Sequence, residues 1–163
     1  MGKIKDGLGS LIGNSGEHYV MAELLKRGII AALAPRNAPG FDILATNPEG
    51  TVRIRVKTKS EQYDAWQYVV KKDGDIFRYL QETGDFTILV HLADDVKEMR
   101  YFIIPTKVIN SWLIEDFEEW LRTPGRGGRM HSKDNTKRNL TYRLHEKELI
   151  RYEDDWDSLW KLI

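Results

Sequence analysis

Cysteine is absent from this sequence of 163 residues, which excludes disulfide bonds, thiolate zinc sites and a cysteine nucleophile. An excess of charge of one sign is absent too. The 25 Lys and Arg balance the 25 Asp and Glu, so any electrostatic argument must be local. No apolar run approaches the roughly 20 residues that span a bilayer, and the first ten residues lack the apolar stretch of a signal peptide. We therefore expect an intracellular, cytoplasmic protein.

The sequence does have the ordinary balance of a globular protein, with 41% hydrophobic and 31% charged residues. This length predicts one domain over residues 1–163. Within it we expect a loose, glycine-containing arm at 1–13, a basic loop at 123–139 and a C-terminal helical tail at 146–163.

The pattern of apolar residues and turn formers predicts a helix that starts at 14–17, and strands at 29–34, 41–46, 51–59, 65–70, 86–92 and 100–104. It also predicts a short helix at 75–83 and a longer one at 107–122. This order indicates an α/β (α+β) fold, with a mixed central sheet flanked by helices.

The predicted strand 51–59 alternates two kinds of side chain, which therefore lie on opposite faces. The apolar face belongs in a core. The other face holds four cations in a row: Arg53, Arg55, Lys57 and Lys59. One interpretation is a solvated face that protects a sheet edge from aggregation. The other is a row of groups that binds nucleic-acid phosphates.

Asp42 is a single carboxylate inside the apolar segment 41–44. Pairing across the turn at 47–50 would bring it close to the later part of strand 51–59, where Lys57 lies. A carboxylate can bind Mg²⁺, and a nearby lysine can stabilise a developing negative charge or help deprotonate water. The alternative is a simple salt bridge between the two side chains.

Glu17 lies on the same helical stripe as Val20, Met21, Leu24 and Leu25. One interpretation places Glu17 at the third position of a capping box with Asn14 at the helix start. In the other, a glutamate of the first turn on the inner face of the helix reaches a site at the sheet edge.

Three stretches of roughly the first 60 residues together resemble a known superfamily. They are Gly16-Glu17 continuing through Gly28, Phe41-Asp42-Ile43, and Ile54-Arg55-Val56-Lys57-Thr58. In this order they resemble the PD-(D/E)XK, or restriction-endonuclease-like, nucleases. The resemblance implies an endonuclease that hydrolyses DNA phosphodiesters, with Glu17, Asp42 and Lys57 as catalytic residues. It implies Mg²⁺, with Mn²⁺ as a substitute, bound by Glu17 and Asp42, and it suggests a homodimer.

Position 55 departs from the superfamily's pattern, which has an acid or glutamine where this sequence has Arg55. Three interpretations stay open. The site is inactive and retained for binding, or an acid such as Glu49 or Glu61 has taken over the metal role. In the third, Glu17 and Asp42 hold one metal ion while Arg55 clamps phosphate.

Cations also concentrate in the predicted basic loop at 123–139. One proline and three glycines in this loop indicate that it is flexible. Those expected to bind nucleic acid are Arg126, Arg129, Lys133, Lys137 and Arg138. The alternative is a mobile, solvated loop. The sequence therefore predicts a metal-dependent DNA endonuclease, whose activity Arg55 could weaken because it replaces the usual acid or glutamine. The alternatives are an inactive nucleic-acid-binding module of the same fold and a structural or protein-interaction domain.

Overall fold

A computed structural model describes residues 9–35, 38, 40–71, 74–77, 80 and 82–161. Its main elements, in chain order, are α1 (Gly9–Lys26), β1 (Ile30–Leu33), β2 (Ile43–Asn47), β3 (Gly50–Ser60), β4 (Ala65–Val69), β5 (Asp85–Leu92), β6 (Arg100–Pro105), α2 (Thr106–Arg122), β7 (Lys137–Thr141) and α3 (Tyr142–Leu149). Short 3-10 turns occur at Val96–Glu98, Ile150–Tyr152 and Trp156–Leu159.

The central sheet has five strands in the order β1-β2-β3-β5-β6. Strands β3 and β5 are parallel, and the other neighbouring pairs are antiparallel. A second sheet consists of β4 and β7, which pair antiparallel although about 70 residues separate them in the chain. The predicted mixed sheet flanked by helices is therefore confirmed.

Apolar side chains cover both faces of the central sheet. Val52, Ile54 and Val56 of β3 pack in one core with Val20 and Leu24 of α1. On the opposite face, β4 and α2 contribute to a second core that includes Trp66, Tyr68, Phe77, Leu89, Phe102, Ile109 and Leu113. The cations of β3 lie on this second face. Residues of β4 and α2 pack over it, so it is not the fully solvated face that one interpretation of the sequence expected.

Strand β3 is longer than its partner on one side. The pairing with β2 ends at Ile43 opposite Ile54, whereas the pairing with β5 continues to Ser60. The edge of β3 from Arg55 onward therefore lies open on the β2 side. This difference in strand length leaves room for a cleft beside the later half of β3.

Helix α1 begins earlier than the sequence predicts. Residues 9–13, expected in a loose arm, form its first turns, and residues 1–8 of that arm lie outside the described part of the chain. Ile12 packs against the first core, and this packing outweighs the low helix propensity of the nearby glycines. Glu17 is therefore in the middle of α1, and the capping-box interpretation with Asn14 is wrong.

Three further segments differ from the prediction. Between 75 and 83 the described residues form bends and turns rather than a helix, and Ile76, Phe77 and Leu80 pack in the second core. Residues 78, 79 and 81 of this segment lie outside the described part of the chain. The predicted basic loop ends at 136, because 137–141 form β7, and α3 begins at Tyr142 rather than in the tail at 146.

None of the helices in the described part of the chain is long and apolar enough to cross a membrane.

Candidate active site

A cleft of about 820 Å³ opens beside the free edge of β3. Residues of α1 form one wall, and residues of β4 and β7, including Gln67, Asn139 and Thr141, form the other. The charged residues that line it and that the sequence singled out are Glu17, Asp42, Arg55, Lys57 and Lys59. The three predicted catalytic side chains therefore lie in one cleft.

Asp42 is attached directly to β3, although it precedes β2. Its backbone N–H donates to the carbonyl of Ile54 at 2.9 Å, and its Oδ2 accepts from the N–H of Val56 at 2.7 Å. Burial raises the pKa of Asp42, while the Val56 hydrogen bond and the charges of Arg55 and Lys57 act in the opposite direction. The carboxylate is thus held at the open edge between two cations.

Glu17 reaches the cleft because α1 lies very close to β3. A Cβ atom at Gly16 would collide with Oγ1 of Thr58, so glycine is required for this approach. Burial raises the pKa of Glu17, and the negative charge of Asp42 raises it further. The two carboxylates are therefore close enough to repel each other, and a shared cation would relieve that repulsion.

The two lysines of β3 face aromatic rings. Nζ of Lys57 lies 5.0 Å from the ring centroid of Tyr68, and Nζ of Lys59 lies 5.0 Å from that of Trp66. Burial, together with the charge of a neighbouring arginine, lowers the pKa of both lysines to about 8. These amines are desolvated and lie over rings that attract cations.

Arg55 turns towards the second layer rather than onto Asp42. Its guanidinium carbon lies 5.9 Å from the ring centroid of Phe77, and Nη1 donates to the carbonyl of Ile76 at 3.3 Å. Arg55 influences the pKa of Asp42 through its charge, without a hydrogen bond to that carboxylate. An arginine at this position therefore leaves the Asp42 oxygens accessible from the cleft.

The hypothesis that another acid replaces the missing one finds no support. Neither Glu49 nor Glu61 lines the cleft. Among the described residues, no three His, Asp or Glu side chains converge in a group that could hold a metal ion. Asp64 also lines the cleft, but its carboxylate is paired with Arg143 and does not join Glu17 and Asp42 in such a group.

These two carboxylates fit a single hard divalent cation. Mg²⁺ is commonly bound through one or two carboxylates and completes its shell with water and substrate phosphate oxygens. Glu17 and Asp42 both line the cleft and supply oxygen donors of this kind.

Arg53 lies elsewhere, although it belongs to the same row of cations. Its Nε and Nη2 donate to the two carboxylate oxygens of Asp85 at 2.6 and 2.7 Å, and it does not line the cleft. Asp85 is buried, so this bidentate pair joins β3 to the start of β5.

The cations predicted in the basic loop are also outside the cleft lining. Three of them are exposed in the segment between α2 and β7: Arg126, Arg129 and Lys133. The guanidinium carbon of Arg138 lies 3.2 Å from the ring centroid of Phe117 on α2. Lys137 shares a face of β7 with Asn139 and Thr141, which do line the cleft.

The aromatic residues that support the β3 cations were missing from the predicted site. Trp66 and Tyr68 are both buried. Their spacing in the sequence puts both rings on one face of β4. The packing of that face on the cations of β3 depends on the β4–β7 pairing, for which the sequence carries no local signal.

No family model matches this sequence, and no curated protein sequence matches it. The structure resembles that of a bacterial homing endonuclease, I-Ssp6803I, with a TM-score of 0.54 and 14% identity over 93% of this chain and 91% of that one. The chain has the restriction-endonuclease-like fold. A further match is Hjc, a Holliday junction resolvase from Archaeoglobus fulgidus, with a TM-score of 0.48 and 13% identity over 83% of this chain and 88% of that one.

The residues that resemble the superfamily motif fall where the cleft opens. Glu17 is on α1, Asp42 precedes β2 and Lys57 is on β3. At 14% identity, the likeness to I-Ssp6803I concerns the fold. The chemistry must therefore be argued from the residues that line this cleft.

Proposed function

We propose that this protein is a metal-dependent nuclease that hydrolyses DNA phosphodiester bonds in the β3 cleft. The observation that carries the proposal is the presence of Glu17, Asp42 and Lys57 in one cleft, with two further cations beside them. Two nearby carboxylates can hold a cation, and a row of cations attracts a phosphate backbone.

Each side chain has a distinct role in this proposal. Glu17 and Asp42 hold one Mg²⁺ or Mn²⁺ ion. When bound, such an ion polarises a phosphate and makes water a better nucleophile at neutral pH. Lys57 in its charged form stabilises the negative charge that develops on the phosphate oxygens, and Tyr68 fixes the position of its amine.

Arg55 takes the role of a phosphate clamp. One of its N–H groups is engaged with the carbonyl of Ile76, and the guanidinium has further donors for non-bridging oxygens. This assignment agrees with the orientation of Arg55 towards Phe77 and away from Asp42. It corresponds to the interpretation in which Glu17 and Asp42 hold one metal ion while Arg55 clamps phosphate.

The second candidate function is an inactive nucleic-acid-binding module with the same cleft. The observation that favours it is Arg55 itself, because it replaces an acid and no third carboxylate joins Glu17 and Asp42 among the described residues. Under this hypothesis the cations of the cleft bind phosphate, while hydrolysis does not follow.

Cleavage of supercoiled plasmid separates the two candidates. The purified protein is incubated with Mg²⁺, Mn²⁺ or EDTA, together with Glu17→Gln, Asp42→Asn and Lys57→Met. Exposed residues outside the cleft provide matched controls, Glu49→Gln for the acids and Lys97→Met for the lysine. We expect metal-dependent nicking that falls at least about 100-fold in the cleft variants, as is usual when an electrostatic catalytic group is removed, and that persists in the controls.

Other outcomes assign the function differently. Nicking that survives all three cleft substitutions would contradict the proposed site. DNA retention that weakens with salt, without any nicking, would favour the binding module. A protein that neither cuts nor retains DNA at low salt would contradict both nucleic-acid hypotheses and leave a structural or protein-interaction domain.

A further inference from the structure

We propose that Lys57 and Lys59 contact two adjacent phosphates of the same nucleic-acid strand, whose backbone runs along β3. This inference rests on the proposed function, because it requires that the cleft accept nucleic acid. It adds a second phosphate subsite, at Lys59, to the site of hydrolysis formed by Glu17, Asp42 and Lys57.

The spacing along β3 supports two adjacent subsites. Lys57 and Lys59 are two residues apart on one face of a strand, so their Cα atoms are separated by about 6.7 Å. Neighbouring phosphates of one strand advance about 3.4 Å along a duplex axis and also turn around it, which puts them roughly 6 to 7 Å apart through space. Both lysines line the same cleft, so one strand can meet both amines.

The surroundings of Lys59 leave its charge free for a ligand. Its side chain is 5% exposed, yet among the described residues its amine has no hydrogen bond and no ion pair. Its neighbours are the rings of Trp66 and Tyr142, at 5.0 and 5.6 Å from Nζ. Because burying a cation without a counter-ion is unfavourable, an anion that enters the cleft would gain from this arrangement.

The acids nearest to Lys59 do not neutralise it directly. Asp64 also lines the cleft, but its carboxylate accepts from Nε of Arg143 at 2.9 Å. Burial lowers the pKa of Lys59 to about 8, and Asp64 and Glu61 raise it through their charges without a hydrogen bond. Near neutral pH the amine is therefore still largely charged, and a bound phosphate would hold its proton more firmly.

A purely structural role for Lys59, as a cation packed on Trp66, makes a different prediction. In that case substitution changes the stability of the fold but not the number of phosphate contacts. The dependence of DNA affinity on salt measures those contacts, since each neutralised phosphate contributes a slope of about −0.9 to log K against log salt on duplex DNA and about −0.7 on a single strand.

The experiment measures these slopes in EDTA, where cleavage is not required. Binding of a short labelled duplex and of one of its single strands is titrated with NaCl for the wild type, Lys57→Met, Lys59→Met and the double variant. Lys59→Arg keeps the charge, and Lys97→Met is the matched control. We expect each Met variant to reduce the duplex slope by about 0.9, the double variant to reduce it by about 1.8, and the single-strand slope to fall by about 0.7 per lysine.

Several results would overturn the inference. A Lys59→Met slope equal to that of the wild type, in a variant that is folded under the binding conditions, would mean that Lys59 contacts no phosphate; a changed stability of that variant would then assign Lys59 a structural role. A reduction seen on the duplex but not on the single strand would place its phosphate on the opposite strand. We expect the control to keep the wild-type slope and Lys59→Arg to recover it.

The plasmid and binding experiments together distinguish a failure of this inference from a failure of the proposed function. Plasmid nicking together with an unchanged Lys59→Met slope would contradict this inference alone. Reduced slopes without nicking would contradict hydrolysis alone. If the wild type bound neither the duplex nor the single strand at low salt, both proposals would be wrong.

Discussion

Oδ2 of Asp42 accepts a hydrogen bond from the backbone N–H of Val56 at 2.7 Å, at the point where β2 no longer pairs with β3. The side chain thus takes over the role of a backbone acceptor at the open edge of the sheet. The same contact fixes the carboxylate between Arg55 and Lys57. One hydrogen bond therefore both completes the edge of β3 and positions the site.

Two substitutions at Asp42 should separate these roles. Asp42→Asn keeps a side-chain oxygen for the Val56 N–H, and burial disfavours the charged form of the carboxylate, so this variant should be at least as stable as the wild type. Asp42→Ala leaves that N–H without its acceptor and should have a free energy of unfolding lower by about 1–3 kcal/mol than Asp42→Asn. Urea denaturation measures the difference.

Both Asp42 variants should lose plasmid nicking to the same extent, because each removes the charge that would bind the metal ion. Equal stability of the Ala and Asn variants would mean that the Val56 hydrogen bond contributes nothing to folding.

The sequence allowed the hairpin of this site to be predicted because its signals are local. Alternation over 51–59 placed Lys57 and Val56 on opposite faces, and the turn at 47–50 brought Asp42 beside the later part of the strand. The structure places these elements as expected, with β3 at Gly50–Ser60.

The second layer could not be predicted in the same way. Strand β7 has the sequence Lys-Arg-Asn-Leu-Thr, which by itself resembles a polar loop, and it forms a strand because it pairs with β4 about 70 residues earlier. The start of α1 also depends on tertiary packing. Ile12 packs against the first core, and this contact keeps the first turns helical although glycines lie close to Ile12 in the sequence. Local propensity cannot reveal either of these long-range contacts.

Gly16 should be essential for the position of α1. In Gly16→Ala the new methyl group would collide with Thr58, so α1 must move away from β3. We expect a loss of about 1–3 kcal/mol in the free energy of unfolding and reduced nicking, because Glu17 moves with the helix. Thermal or urea denaturation and the plasmid assay measure the two effects.

Gly13→Ala is the matched control, because a Cβ there meets nothing within 4 Å. It should stabilise α1 by up to about 1 kcal/mol through helix propensity. Adding Thr58→Ala to Gly16→Ala should restore part of the lost stability. Equal effects at Gly13 and Gly16 would show that helix propensity, rather than contact with Thr58, sets the result.

Arg55 should control the balance between metal and phosphate binding. Arg55→Glu adds a carboxylate beside Asp42, so its affinity for Mn²⁺ should increase about tenfold, which corresponds to about 1.4 kcal/mol. Its DNA affinity in EDTA should decrease, because a cation in contact with phosphate becomes an anion. Isothermal titration with Mn²⁺ and DNA titration in EDTA measure the two changes.

Arg55→Gln provides the neutral comparison and should reduce the salt slope of duplex binding by about 0.9. An unchanged Mn²⁺ affinity in Arg55→Glu would mean that position 55 does not contribute to the metal site.

The two buried lysines should make the stability of the fold increase with pH. Burial lowers the pKa of Lys57 and Lys59 from the ordinary 10.5 to about 8. Between pH 8 and 10.5 the folded protein therefore binds fewer protons than the unfolded chain, and the free energy of unfolding rises with pH by up to about 1.4 kcal/mol per unit for each amine. Tyr101, whose pKa burial raises to about 12, acts in the opposite direction above pH 10, so the measurement belongs below that value.

Urea denaturation at pH 8.0, 8.8 and 9.6 (chosen as roughly even steps across the window) tests this dependence. Lys57→Met and Lys59→Met should each remove part of the increase and should be more stable than the wild type near pH 8, because each removes one of the two desolvated amines. Lys97→Met, at an exposed position, should keep the wild-type dependence. If both Met variants kept it as well, the two amines would not be desolvated in the folded protein, and the cleft would lack the unneutralised cations on which phosphate binding depends.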